Sequence, residues 1–141
     1  MIDVENMVVD TVRKAVIALY PTADIVSEYV DVPSSFPCVS VIEGENSSYF
    51  KTKDNDLIDH HINVMYEINV YSNLKSKKKE QAKKIMGVVD TALQNIKFTR
   101  TFKQPIPNSD KTIYRIVARY EAVIGAEQTV GSDKIYQVYR K

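Results

Sequence analysis

Two segments of the chain alternate apolar and polar side chains with a strict period of two. In "HINVMYEINVY", Ile62, Val64, Tyr66, Ile68 and Val70 alternate with His61, Asn63, Met65, Glu67, Asn69 and Tyr71. In "KTIYRIVARYEAVIG", Tyr114, Ile116, Ala118, Tyr120, Ala122 and Ile124 alternate with Ile113, Arg115, Val117, Arg119, Glu121 and Val123. Successive strand side chains point to opposite faces, so the pattern predicts half-buried strands with one apolar and one mixed face.

Two other segments repeat at helical spacing. Over residues 3 to 19, Val4, Val8, Val12, Ala15 and Leu19 form a stripe that Met7 and Val16 widen. Asp3 can cap that helix, and Pro21 stops it, because the residue before a proline avoids the α region. Over residues 75 to 96, Ala82, Ile85, Val89, Ala92, Leu93 and Ile96 form the second stripe, flanked by Met86 and Val88. Gly87 falls on the polar side of this helix, where it costs about 1 kcal/mol against alanine.

Weaker signals fill the rest. Residues 25 to 31 and 38 to 43 read as short strands separated by a loop between Pro33 and Pro37. Gly44 and "ENSS" indicate a turn or bulge, and residues 44 to 60 an extended loop. "FTRTFKQPIPN" reads as a short strand entering a proline loop, and Pro105 and Pro107 exclude a central strand there. Gly125 ends the last strong strand, and residues 126 to 141 form a C-terminal tail or an edge strand. The order α-β-β-β-α-β-β predicts one α+β domain over residues 1 to 141. Its mainly antiparallel sheet of about four to six strands carries two amphipathic helices on one face.

Composition narrows the function classes. The 141 residues, 44% hydrophobic and 26% charged, are those of an ordinary globular domain, and a net charge of +1 gives no global attraction to polyanions. A single cysteine, Cys38, excludes an intrachain disulfide; its apolar setting reads as a small buried hydrophobe. The acidic start lacks a basic n-region and no apolar run is long enough for a bilayer, so the expectation is a cytosolic product with no membrane partner.

Motifs for chemistry are sparse. The four glycines fit neither a dinucleotide fingerprint nor a phosphate loop. "DLIDHH" gathers Asp56, Asp59, His60 and His61, but adjacent strand histidines point apart and no second ligand cluster completes a site. No nucleophile elbow surrounds a serine. Glu67, Arg115, Arg119 and Glu121 read as cross-strand neighbours. Catalytic, cofactor and metal residues are therefore expected to be none. Nine tyrosines and no tryptophan suit either strands or a protein interface.

The densest charge is "NLKSKKKEQAKK". Six lysines and one glutamate give residues 75 to 84 a local charge of +5, so the rest of the chain sums to −4. Positive charge at a helix start opposes the macrodipole by about 0.3–1 kcal/mol per well-placed group. The run is either a solvated helix end or a patch for an anionic partner; with no interleaved aromatic it lacks a single-strand stacking platform.

The layout also resembles a family. An N-terminal amphipathic helix leads into strands, "YEINVYSN" runs directly into the helix "KKKEQAKKIMGVVDTALQNIKF", and "RIVARYEAVI" closes the core. This resembles the tail terminator, or tail completion and head–tail joining, proteins of long-tailed phages, the group that includes the lambda tail terminator. The likeness covers residues 3 to 124 and no phrase in 44 to 60 or 125 to 141. It implies a non-enzymatic virion protein, assembled in the host cytoplasm, that forms a homo-oligomeric, commonly hexameric, ring at the head-proximal end of the tail. Such a ring stops tube polymerisation and contacts the tail tube protein and the head–tail connector, with DNA passing through its lumen. On that reading, Lys75, Lys77, Lys78, Lys79, Lys83 and Lys84 form a candidate docking or DNA-lumen patch. Tyr49, Phe50, Glu67, Tyr71, Arg115 and Arg119 form a candidate subunit interface. The rival readings are another tail or connector component, a small nucleic-acid-binding module using the lysine run, and an enzyme using Asp59, His60 and His61.

Overall fold

A computed structural model describes the backbone of residues 2–48, 61–130 and 133–140, with side chains for all of these except 126–137. The elements in chain order are α1 (Glu5–Leu19), β1 (Asp24–Val26), β2 (Cys38–Ser48), β3 (His61–Ser72), α2 (Lys78–Asn95), β4 (Thr99–Ile106), β5 (Tyr114–Val130) and β6 (Asp133–Arg140). They form an α+β fold with a mostly antiparallel six-stranded sheet ordered β1-β2-β3-β5-β4, with β6 also paired to β5.

The two strongly alternating segments lie side by side at the centre. Tyr66 faces Tyr120, Ile68 faces Ala118 and Val70 faces Ile116 across the β3–β5 pair. These side chains are buried beneath both helices, joined by Val8, Val12 and Val16 of α1 and by Ile85, Val89 and Leu93 of α2. Each such aliphatic side chain contributes about 1.5–3 kcal/mol by leaving water. The helical stripes predicted from spacing supply most of this core; Ala15, Leu19 and Ala92 of those stripes stay half-buried, and Val9, outside the predicted stripe, is buried instead. Asp3 does act at the start of α1, one position ahead of the N-cap Val4: its Oδ1 accepts the Glu5 amide at 3.0 Å.

The differences from expectation have local causes. The expected strand over 25 to 31 shrinks to β1, which pairs in parallel with β2. The chain then folds over the far side of the sheet. There Tyr71 Oη donates to the Val30 carbonyl at 2.6 Å and Ser40 Oγ to the Glu28 carbonyl at 2.9 Å. That cover makes a second small core of Cys38, Tyr71 and Ile113 with Val26 and Phe36. β2 runs on through 44–48, the first part of the expected loop, by shifting register between Glu43 and Glu45. Gly44 sits at this shift, where a Cβ would press on the flexible end of the Met65 side chain. The rest of that loop, residues 49–60, lies outside the described residues.

β5 passes Gly125 and continues to Val130 because β6 supplies a partner. β4 and β6 share one edge of β5, at residues 115–121 and 122–130 respectively. Pro105 therefore sits in an outer strand, where its missing N–H costs no ladder bond.

Candidate functional site

Helix geometry divides the lysine run. Lys75 and Lys77 are exposed in the turn before α2, which Ser76 enters with a φ of 65°. Residues four apart share a helix face. Lys79 and Lys83 accordingly point together, toward β4, and line a groove of about 360 Å³ with Lys103, Pro105, Tyr114 and Ile116. Lys78 faces the turn before β5, where its Nζ donates to the Lys111 carbonyl at 2.8 Å. It lines a second groove, of about 450 Å³, with Lys111 and Arg115 over an apolar floor that includes Ile106 and Ile113. Pro105 and Tyr114 belong to both grooves, so the two adjoin. Lys77 and Lys84 lie on the other flank of α2, beside Tyr20, Leu74 and Glu80.

The result is a strip of five lysines, Lys78, Lys79, Lys83, Lys103 and Lys111, which Arg115 reaches from the opposite face of the sheet; among the described residues no acidic side chain lines either groove. Asp110 stands near Lys78 but turns into its own loop, accepting from Thr112 N at 2.9 Å and Thr112 Oγ1 at 2.7 Å. Those hydrogen bonds, with the Lys78 charge a smaller cause, hold its carboxyl below the usual range. Lys103 and Lys111 were not among the sequence candidates. The alternation of β4 does place Lys103 on the same face as Pro105, but only the strand order shows that this face meets α2.

The sheet face away from the helices carries the other candidates. Arg119 Nε pairs with Glu67 Oε1 at 3.3 Å and its guanidinium lies 5.1 Å from the Phe102 ring. Arg115 donates twice to Asn69 Oδ1, at 3.0 and 2.8 Å, and stacks 5.4 Å from the Tyr71 ring. Asn69 Nδ2 in turn reaches Glu67 Oε2 at 3.3 Å. The structure thus brings Glu67, Arg115 and Arg119 into one network. With Arg119 half-exposed, the Glu67–Arg119 pair contributes about 0.2–1 kcal/mol. Tyr71 does not join the exposed surface: it is 1% exposed, under the 27–36 segment. Its phenol pKa is raised, chiefly by burial. Tyr49 and Phe50 lie outside the described residues, as do Asp56, Asp59 and His60.

A second charged surface was not anticipated. Asp3, Glu5 and Glu43 bring their carboxylates within 4.8 Å of one another where the start of α1 crosses β2. Asn46 Nδ2 fixes that crossing by donating to the Ile2 carbonyl at 2.9 Å. Tyr66, fully buried, sends its hydroxyl to Glu43 Oε2 at 2.9 Å. Burial first, then the Glu43 hydrogen bond and the surrounding carboxylates, push the Tyr66 phenol well above its ordinary pKa. The three acids are dispersed over forty residues of sequence, so no motif announced them.

Cys38 is buried, and burial, with Asp24 nearby, pushes its thiol up to about 12. A thiol so far above neutral pH is a poor nucleophile. No protein-family model matches this chain, and no curated protein matches it either.

Proposed function

We propose that the chain is a virion assembly subunit of the tail-terminator type, forming a ring that caps a phage tail tube, stops its polymerisation and joins tail to head. Its partners on this reading are further copies of itself, the tail tube protein, the head–tail connector and, non-specifically, DNA in the lumen. Its place is the head-proximal end of the tail.

One observation carries most of the weight. Residues 126–130 of β5 have β6 as their one strand partner among the described residues, because β3 pairs with β5 only as far as Gly125. A two-stranded ribbon is marginal in water by itself. It gains stability by packing on something further, and in a ring that is the neighbouring subunit. An α+β core with such an arm suits assembly.

The test is native mass spectrometry of the purified chain over a concentration series. A discrete closed oligomer near six subunits supports the reading. Open-ended polymers favour a tube or connector component instead. The cation strip favours one further reading, a nucleic-acid-binding module. That reading predicts a monomer whose duplex affinity falls steeply with salt and is lost in the K77E/K78E/K79E variant.

A further inference from the structure

Charge is segregated on this nearly neutral chain, and the two surfaces lie at opposite edges of the same sheet face. The acidic cluster sits over β2, at the start of α1; the groove of Lys79, Lys83 and Lys103 sits between α2 and β4. β3 and β5 separate those two strands, which places the edges about 14 Å apart in strand spacings. Neither surface can reach the other within one chain. We infer that the groove between α2 and β4 receives the acidic edge, Asp3 and Glu5 with Glu43, of a second copy of this chain. This rests on the ring reading and specifies its contact.

Three features favour a second copy over other anions. First, both surfaces are internally repulsive: three carboxylates crowd within 4.8 Å, and Lys79, Lys83 and Lys103 converge on one groove. A second copy relieves both repulsions, whereas a nucleic acid would relieve only the cationic one. Second, among the described residues no ion pair engages these lysines, so their charge is available. Third, Lys78 and Lys79 occupy the first turn of α2, where they oppose the helix dipole; docked carboxylates reverse that penalty. The floor of Pro105, Tyr114 and Ile116 adds apolar contact beneath the lysine stems.

A contact between two unlike surfaces on opposite edges is heterologous. It propagates from copy to copy and closes into a ring if the rotation permits.

The experiment uses the full chain and two charge-changing variants. One is K79E/K83E. The other is D3N/E5K, which retains a capping oxygen at position 3 and leaves Glu43, the partner of Tyr66, untouched. Circular dichroism and a thermal midpoint confirm folding. Native mass spectrometry and sedimentation then follow assembly at low and high ionic strength, about 50 and 500 mM.

The wild type is expected to assemble, more weakly at high salt. Each variant alone is expected to dissociate at least tenfold more readily. An equimolar mixture is expected to reassemble with the variants alternating, since each altered groove then meets an altered edge.

Variants that assemble like the wild type overturn this contact but leave the ring reading standing. Folded variants whose mixture does not reassemble also overturn it. A K79E/K83E chain that assembles normally but no longer binds a DNA duplex overturns it in favour of a nucleic-acid surface. A wild type that is monomeric at every concentration overturns both this contact and the ring.

Discussion

Replacing Asp90 by alanine tests whether α2 is fixed to the sheet by one carboxylate. Asp90 Oδ1 accepts the Tyr120 hydroxyl at 2.6 Å and Arg100 Nη1 at 2.7 Å, while Oδ2 accepts Gln94 Nε2 at 3.0 Å. The three bonds join α2, β4 and β5. Their worth is unequal. Arg100 is 42% exposed, so its ion pair is screened and contributes about 0.2–1 kcal/mol. Tyr120 is fully buried, and a hydrogen bond from it to a charged acceptor contributes about 1.5–3 kcal/mol. Removing the carboxylate also leaves a buried phenol unpaired, so Asp90→Ala is expected to cost about 3 kcal/mol.

Tyr120→Phe removes the donor along with its need for a partner and is expected to cost about 1–1.5 kcal/mol. In the Tyr120→Phe background, Asp90→Ala orphans nothing, so the double variant should fall short of the sum by about 1–2 kcal/mol. Urea unfolding at pH 7, with equal slopes across the series, measures all three.

Acid gives a second readout. Burial alone would raise the Asp90 pKa, but the hydrogen bonds from Tyr120, Arg100 and Gln94 and the Arg100 charge outweigh it, and the pKa falls below 3.8. A carboxyl whose folded pKa is depressed stabilises the fold above its unfolded pKa and loses that contribution as pH falls through the folded value. The gap between wild type and Asp90→Asn should therefore be constant near neutrality and close below about pH 4. Additivity of Asp90→Ala with Tyr120→Phe, or a larger loss from Arg100→Ala than from Asp90→Ala, would refute the reasoning.

Three further outcomes follow from local geometry. Lys97 ends α2 with a φ of 72°, its amide bonding to the Gln94 carbonyl and the Phe98 amide to Leu93, so Lys97→Gly is expected to raise stability by about 0.5–1 kcal/mol in urea unfolding. Gly87 lies on the exposed face of α2 with open space where a Cβ would stand, so Gly87→Ala is expected to stabilise by up to about 1 kcal/mol, read as a thermal midpoint. Cys38, with its thiol pushed up to about 12 and its side chain buried, should resist maleimide at pH 7 and become labelled in step with urea unfolding; fast labelling of the folded chain would contradict its burial.

The core was legible because its periodicities are local. Ile62 to Val70 and Tyr114 to Ile124 alternate without interruption, and each of the predicted apolar faces is inside. What the sequence left open depends on pairing between distant segments. Gly125 looked like a strand end, yet β5 continues because β6 lies alongside, a fact written in no local window. The strand over 25 to 31 failed because Tyr71 and Ser40 draw the backbone at Val30 and Glu28 across the sheet instead. The end of α2 carries a lysine where glycine is usual, which hid the Schellman turn. The candidate site divided in the same way. The lysine run was visible, but Lys103 and Lys111 join it only through the fold, as Glu5 joins Glu43.

The run itself is informative because helix geometry splits it. Lys77 and Lys84 are seven residues apart and lie on one flank of α2; Lys79 and Lys83 are four apart and lie on the other. Were the run merely a solvated, solubilising end, reversing either pair would have the same effect, since each changes the net charge equally. A general polyanion grip would also respond alike to both pairs, because counterion release counts charges rather than faces. A docked protein edge responds only to the pair it touches. K77E/K84E should therefore leave assembly at wild-type concentrations, while K79E/K83E weakens it at least tenfold, both read by native mass spectrometry at the same ionic strength. Glu80 already stands beside Lys77 and Lys84, so that flank is partly compensated before any partner arrives. Equal responses from the two pairs would return the lysines to solvent or to nucleic acid; unequal responses of the opposite sign would move the contact to the other flank of the helix.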